Sequence, residues 1–440
     1  MKQLLVLLTV AVMEMGILFP DAPARILREK SAGERSAVTA AVSAGTEGPA
    51  QEPSPAGTGV PDRASPLPPP ENTPAARGPA AQAPKREKAT ETPLPNGEKK
   101  VTLTFTGDVT LGSEDILRGK PDSFDSVAAR EGYGWFFRNM KDLFTADDLT
   151  LVNLEGTLTN SSLMEDTGKT FRFRGPTDFA KILTESSIEA CAISNNHIMD
   201  FGRQGYDSTM AALSAEGILY CGNDHSFVLE KDGIKIGFFA LGSTYVNTYA
   251  SYVVNTIARM RKEGVNAIVI CFHAGQEYSP RRRSRDQEFY ARTAVEEWGA
   301  DLVIMHHPHV VQGVDILKNR YVFYSLGNFC FGGNSVIRAS GKDPAVRALE
   351  SMVVQMDLRF SAKGEYLGQS GRIYPCFISS SAEKAGDPND FQPKLVFGED
   401  AQGVLKRIQF DTLFDLGELN REGILELPFL ENGKAEEKKE

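Results

Sequence analysis

Histidine is scarce in this chain, at six of 440 residues, so the placement of each one is informative. Positive charge is not in excess either. Lys and Arg number 48 against 58 Asp and Glu, for a net charge of −10 and a pI near 5.3. That balance excludes a broad nucleic-acid-binding surface. The only dense basic run is Arg281, Arg282, Arg283 and Arg285. It reads either as a solvated loop with acidic neighbours or as an anion-binding edge. The five cysteines (Cys191, Cys221, Cys271, Cys330, Cys376) are odd in number and lack any CxxC spacing, which argues against a disulfide framework or a zinc knuckle. Buried free thiols are expected, with one oxidised pair left open for a protein outside the cytoplasm. Aromatic residues are missing between Pro20 and Phe105, and more than half of the 24 prolines fall between Pro49 and Pro95. A stretch of that kind buries too little apolar surface to offset its ordering entropy.

These absences divide the chain. Met1–Ala24 has a short positive start at Lys2, an apolar run over Leu4–Met13 and the small-residue site Ala22-Pro23-Ala24. This is the pattern of a signal peptide or an uncleaved N-terminal anchor, and either predicts a protein outside the cytoplasmic membrane, secreted or tethered. Residues 25–99 read as a disordered Pro/Ala-rich linker, residues 100–432 as the folded domain and residues 433–440 as a charged tail. In the folded part, apolar strand-like runs alternate with helical stretches near Trp135–Leu143, Asp178–Thr184, Gly205–Glu216, Val254–Glu263 and Asp286–Trp298. The alternation predicts helices on a central, largely parallel sheet. Two hairpin-like pairs interrupt it, at Phe227–Leu241 and Val310–Ser325. Late strands at Met352–Phe360 and Arg372–Ile378 suggest a second sheet, followed by a helix near Val404–Leu413. The fold class is α/β, a layered sandwich of two sheets covered by helices.

Five of the apolar runs end in residues that bind metals or move protons: VTLTFTGD ending at Asp108, LTLVNLE at Glu155, ACAISNNH at His197, AIVICFH at His273 and DLVIMHHPH at His309. Five of the six histidines lie in these endings. Ligands of such sheets bind beyond the carboxyl ends of the strands, so the five endings predict one polar site suited to a divalent cation. Gly107 permits a sharp turn that exposes Asp108. In Asn195-Asn196-His197, Asn196 offers a neutral oxygen, and Asp200 lies close enough to orient the His197 imidazole. In His306-His307-Pro308-His309, an extended H-x-H pair directs His307 and His309 to one face and His306 to the other. Asn328, in Ser325-Leu326-Gly327-Asn328-Phe329, is expected to shape the pocket rim.

Together these motifs resemble the CapA family, the capsule and poly-γ-glutamate synthesis proteins of the metallophosphatase-like (calcineurin-like phosphoesterase) superfamily. The segments that carry the resemblance are FTGDVTLG, LVNLEGTLT, FRFRGP, AISNNHIMDFGRQGYDST, FHAGQEY, ADLVIMHHPHVVQGV and VFYSLGNF, from about Thr102 to Phe331. It implies a four-layer sandwich of two mixed sheets flanked by helices. It also implies one or two divalent ions (Mn, Fe, Zn or Mg) held by Asp108, Glu155, Asn196, His273, His307 and His309, with Glu155 as the bridge. His197 would be the acid or leaving-group stabiliser, oriented by Asp200. Arg172, Arg174 and Asn328 would contact an anionic polymer such as poly-γ-glutamate, and a membrane-bound synthesis or export machinery would be the protein partner. The chemistry would be hydrolysis or transfer at a phosphoryl or acyl centre, or else guidance of the polymer without catalysis. Three departures stand out. Val109-Thr110 follows Asp108 where the fullest phosphoesterase sites have Asp-x-His. The second carboxylate is Glu rather than Asp, and Ala274 replaces an aromatic residue usual in the family.

Overall fold

The computed structural model describes residues 81–82, 94–279, 284–333, 348–381 and 387–433. The expectations for Met1–Ala24, for nearly all of the linker, for Arg281, Arg282 and Arg283 and for the tail beyond Gly433 lie outside the described residues. Within the linker, Ala81–Gln82 pairs in parallel with Leu229–Glu230. No described helix is long and apolar enough to cross a membrane.

In chain order the strands begin with β1 (Ala81–Gln82), β2 (Lys99–Val109), β3 (Ser113–Glu114), β4 (Leu149–Leu154), β5 (Thr157–Leu158) and β6 (Phe173–Gly175). They continue with β7 (Ala190–Ala192), β8 (Leu219–Cys221), β9 (Phe227–Lys231), β10 (Ile234–Gly242), β11 (Ala267–His273) and β12 (Leu302–His306). The last are β13 (Val314–Leu317), β14 (Arg320–Phe323), β15 (Glu350–Phe360), β16 (Tyr366–Phe377), β17 (Lys394–Leu395) and β18 (Leu425–Glu431). The α-helices are α1 (Phe124–Glu131), α2 (Lys141–Ala146), α3 (Ala180–Glu185), α4 (Gly202–Ala215), α5 (Val246–Lys262), α6 (Arg285–Arg292) and α7 (Gly398–Phe410).

One sheet runs β17-β16-β15-β2-β4-β7-β8, with β18 on β16, and the other runs β1-β9-β10-β11-β12-β14-β13. Strands β2, β4, β7 and β8 are parallel, as are β10, β11, β12 and β14. A small sheet, β3-β6-β5, lies apart from both. The late strands do not form the second sheet expected of them. β15 pairs antiparallel with β2 and β16 with β15, so they extend the first sheet, and the second sheet is built from β9 to β14. Strand pairing order is a long-range choice that apolar runs alone do not encode.

Side-chain alternation explains the layers. On β11, Ala267, Val269 and Cys271 join Leu103, Phe105, Leu151, Phe238 and Val354 in a core between the two sheets. The intervening Ile268, Ile270 and Phe272 pack with Val253, Ile257 and Met260 of α5 on the outer face. The outer face of the first sheet is covered by α1 to α4 through Phe124, Phe144, Leu183 and Leu213. The result is a helix–sheet–sheet–helix sandwich, as the sequence pattern implied. The helix expected near Trp135–Leu143 is a 3-10 turn at Tyr133–Trp135 followed by α2. The preceding α1 begins where Ser123 Oγ accepts a hydrogen bond from the Ser126 amide, a capping signal that periodicity alone overlooks. All five cysteines are free and buried.

Close approach fixes the end of β2. Its register with β4 shifts between Phe105 and Asp108, and a Cβ on Gly107 would lie 2.1 Å from the Gly327 carbonyl oxygen. Gly107→Ala should therefore destabilise the fold by about 1–3 kcal/mol through overpacking. Gly403→Ala, in α7 with nothing within 4 Å of its Cβ, should be neutral or stabilising by about 0.5–1 kcal/mol. Denaturant unfolding of the two variants checks the pair, and equal losses would contradict the packing argument.

Candidate metal centre

The carboxyl ends of parallel strands from both sheets meet at one edge of the sandwich. Asp108 is the last residue but one of β2 and is fully buried. Its amide donates to the Gly327 carbonyl and its carbonyl accepts from the Phe329 amide, so the turn carrying Asn328 clamps its backbone. Its Oδ1 accepts from Asn153 Nδ2 at 2.8 Å and lies 3.3 Å from His306 Nδ1. Its Oδ2 lies 3.3 Å from His309 Nδ1. Asn328 is fully buried beneath the site rather than at a rim, with Oδ1 2.9 Å from His309 Nδ1.

Glu155 follows β4, where its amide donates to the Val109 carbonyl. Its Oε1 lies 3.3 Å from His273 Nε2 and 3.8 Å from His309 Nε2. His273 ends β11, and its Nε2 is also 2.7 Å from Asn196 Oδ1. The extended H-x-H geometry is not what forms. Strand β12 stops at His306, and His307 and His309 take φ angles of +102° and +59°. These turns, rather than strand alternation, bring His307 and His309 to the site. His306, still on β12, follows Leu302 and Ile304 on the inter-sheet face and pairs with His273, so strand alternation places it beside Asp108 instead of away from the site.

The His197 loop sits at the edge of this cluster. Asn195 ties it to β4 by donating to the Leu154 carbonyl. His197 Nδ1 is 2.8 Å from Asp200 Oδ2, and Asp200 also accepts from the Phe173 amide and from Lys169 Nζ at 2.8 Å. Lys169 makes a second bond to the Asn196 carbonyl. Burial alone would raise the Asp200 pKa, but His197 and Lys169 outweigh it and hold the carboxyl below its ordinary value. The two arginines of FRFRGP differ. Arg172 pairs with Asp115 at 2.5 Å and Glu165 at 3.0 Å, and so braces the loop. Arg174 lies over the Phe201 ring at 5.5 Å. Arg285 opens α6 behind a Ser284 capping box.

Sequence reasoning missed Asn153, Lys169 and Glu277. Asn153 and Glu277 lie within LVNLEGTLT and FHAGQEY, and Lys169 lies two residues before FRFRGP. Nothing in a linear motif says that these side chains turn inward.

The donors gather in three groups whose ligand atoms lie within 4.8 Å of one another: Asp108–Glu155–His309, Glu155–His273–His307 and Glu277–His307–His309. Glu155 belongs to two of them, as a bridge would. Both of its carboxylate oxygens, both His306 nitrogens and His307 Nδ1 are buried without hydrogen-bond partners. Buried carboxylates left in that state are costly. These residues therefore fit a divalent cation, with hard oxygen and imidazole donors facing one another. Burial pushes Glu155 well above the usual carboxylate range. Asp108 is held well below it, because the adjacent His306 and His309 imidazoles outweigh its own burial. Burial takes His307 down to about 4 and also lowers His273, so both stand as neutral donors. Burial disfavours charge on His309 too, but Glu155 and Asp108 outweigh it and carry His309 up to about 10.

That last shift has a testable consequence. A folded pKa near 10 against an ordinary 6.5 means the His309 proton stabilises the cation-free protein below about pH 6.5. This contribution is lost as pH rises through about 10. A cation must displace that proton, so affinity should rise with pH across this window by up to about tenfold per unit. Binding at pH 7.5 should release about one proton, which an indicator dye in weak buffer would register. Affinity that does not change with pH would contradict this arrangement.

The sequence profile described as "Bacterial capsule synthesis protein PGA_cap" matches residues 102–333, the stretch that supplies every donor above. The "PGA biosynthesis protein CapA" of Bacillus subtilis (strain 168) is 25% identical over 60% of this chain and 71% of its own length. The "Capsule biosynthesis protein CapA" of Bacillus anthracis is 26% identical over 53% of this chain and 60% of its own. A "Probable polyglutamine synthesis accessory protein" of Mycobacterium tuberculosis (strain ATCC 25618 / H37Rv) is 42% identical over 42% of this chain and 56% of its own. The chain thus spans less than two thirds of the length of the latter two. With the profile covering more than half of its sequence, the chain belongs to the bacterial capsule synthesis protein PGA_cap family.

Proposed function

We propose that the protein acts outside the cytoplasmic membrane in the biosynthesis or export of capsule, on poly-γ-glutamate or a similar anionic envelope polymer, through a divalent-metal site of phosphoesterase type. The observation that carries the reading is the meeting of Asp108, His273, His307 and His309 around the Glu155 carboxylate, whose buried oxygens have no hydrogen-bond donor. The family and the names of its relatives supply the polymer class. The N-terminal targeting pattern supports the location. Metal bound there would supply Lewis acidity toward an ester, amide or phosphoryl oxygen and lower the pKa of a bound water. Asp108, Glu155, His273, His307 and His309, with Asn196, are the residues that would hold it.

The chain's own groups do the rest. The His197–Asp200 pair favours a second reading, in which the protein is a hydrolase or transferase on another envelope substrate. Asp200 engages Nδ1 and leaves Nε2 to hold a proton for a leaving group. Lys169 keeps Asp200 charged and tied to the Asn196 backbone. Arg174 is the cation of FRFRGP that stands outside the Asp115–Glu165 network, and we assign it to the carboxylates of the polymer.

Full-length protein purified without chelator is expected to carry divalent metal by elemental analysis. His197→Ala should keep that metal while turnover of a phosphodiester or of poly-γ-glutamate falls by about 10²–10⁴. Polymer binding without turnover in either form would leave the export role and remove the catalytic one. Protein that takes up neither metal nor polymer would overturn both.

A further inference from the structure

Each cation in such a centre needs at least four donors. The Asp108–Glu155–His309 group brings three side chains. Strand β2 adds none beyond Asp108. Thr110, two residues on, is already committed: its hydroxyl donates to the Gly112 carbonyl at 3.0 Å and accepts from the Gly332 amide at 2.9 Å. We propose that Glu277, grouped with His307 and His309, serves as an exchangeable ligand to the cation that His309 holds. The inference rests on the reading of the site as a metal centre.

Three observations converge on Glu277. Its carboxylate and the ring nitrogens of His307 and His309 lie within 4.8 Å of one another. His307 Nδ1 is buried without a partner. The loop that bears Glu277 is also seated on the loop that bears the histidines. The Tyr278 amide donates to the Pro308 carbonyl at 2.8 Å, and Gly275, at φ +129°, has room for no Cβ because Gln287 and Pro308 would lie 2.8 and 3.0 Å from it. Pro308 separates the two histidines, so the carboxylate and both imidazoles are placed by one joint between strand ends. Glu277 is exposed, unlike the fully buried Asp108 and Glu155. An exposed carboxylate gives up little hydration on binding and on release. It is therefore suited to yield its place to a carboxylate or phosphate of an incoming anionic substrate.

The test is Mn²⁺ binding to the full-length protein, read by calorimetry and electron paramagnetic resonance. Glu277→Gln is expected to weaken one Mn²⁺ binding step by about tenfold or more, with a changed resonance spectrum and an unchanged unfolding midpoint. In Glu277→Ala, millimolar formate should restore much of the lost affinity by standing in for the missing carboxylate. Mn²⁺ affinities within twofold of wild type in both variants would overturn the proposal. So would a loss that formate does not recover. Wild-type protein that binds no Mn²⁺ would instead sink the metal reading on which this inference stands.

Discussion

Two carboxylates with no exposure to solvent, Asp108 and Glu155, stand at the carboxyl edge of the sandwich, and the architecture around them compensates for removing that charge from water. Asp108 is accommodated by Asn153, His306 and His309. Glu155 has imidazoles nearby but no hydrogen-bond donor, and its pKa is driven upward. A protein that keeps a carboxylate in that condition gives up stability at the position, the behaviour expected where function sets the environment. In the cation-free protein the protonated His309 stands as the local positive charge between them.

This cluster exists only because two sheets pack face to face with their parallel strands ending at the same edge. Asp108 and Glu155 come from the first sheet, and His273 and His306 from the second. The intersheet core of Phe105, Leu151, Phe238, Val269 and Ile304 holds the two sets of strand ends in register. Its apolar burial, worth roughly 1.5–3 kcal/mol for each large side chain, is the source of the rigidity the site needs. Bonds at the first sheet's own strand ends sharpen the placement, from Gly327 and Phe329 to the Asp108 backbone and from Asn195 to the end of β4.

Around the cluster, polar groups act in layers. Arg172 joins Asp115 and Glu165, with Arg118 also on Glu165, so the segment leading to Lys169 is braced by ion pairs of partly buried groups. Lys169 then reaches both Asp200 and the Asn196 carbonyl. These pairs make the loop a structural support as well as a neighbour of His197. Arg172 and Arg174, two residues apart in one motif, thus have different surroundings, a distinction that spacing did not reveal.

Much of the site was legible in the chain. Apolar runs ending in Asp, Glu, Asn and His mark strand ends by local chemistry, and an α/β sandwich follows from their alternation with helices. The residues nominated as ligands do come together. What the linear pattern did not contain was pairing order and backbone turn geometry. The late strands joined the first sheet because β2 had an open edge to pair with. His306 came to lie beside Asp108 because β12 pairs in register with β11, and left-handed turns brought His307 and His309 to the same site. Asn153, Lys169 and Glu277 acquired their places from contacts with residues 27 to 120 positions away. Residue type and short-range period are local properties that a sequence carries outright, whereas sheet partners and inward-turned side chains are settled by which distant surfaces pack, so only the tertiary structure decides them.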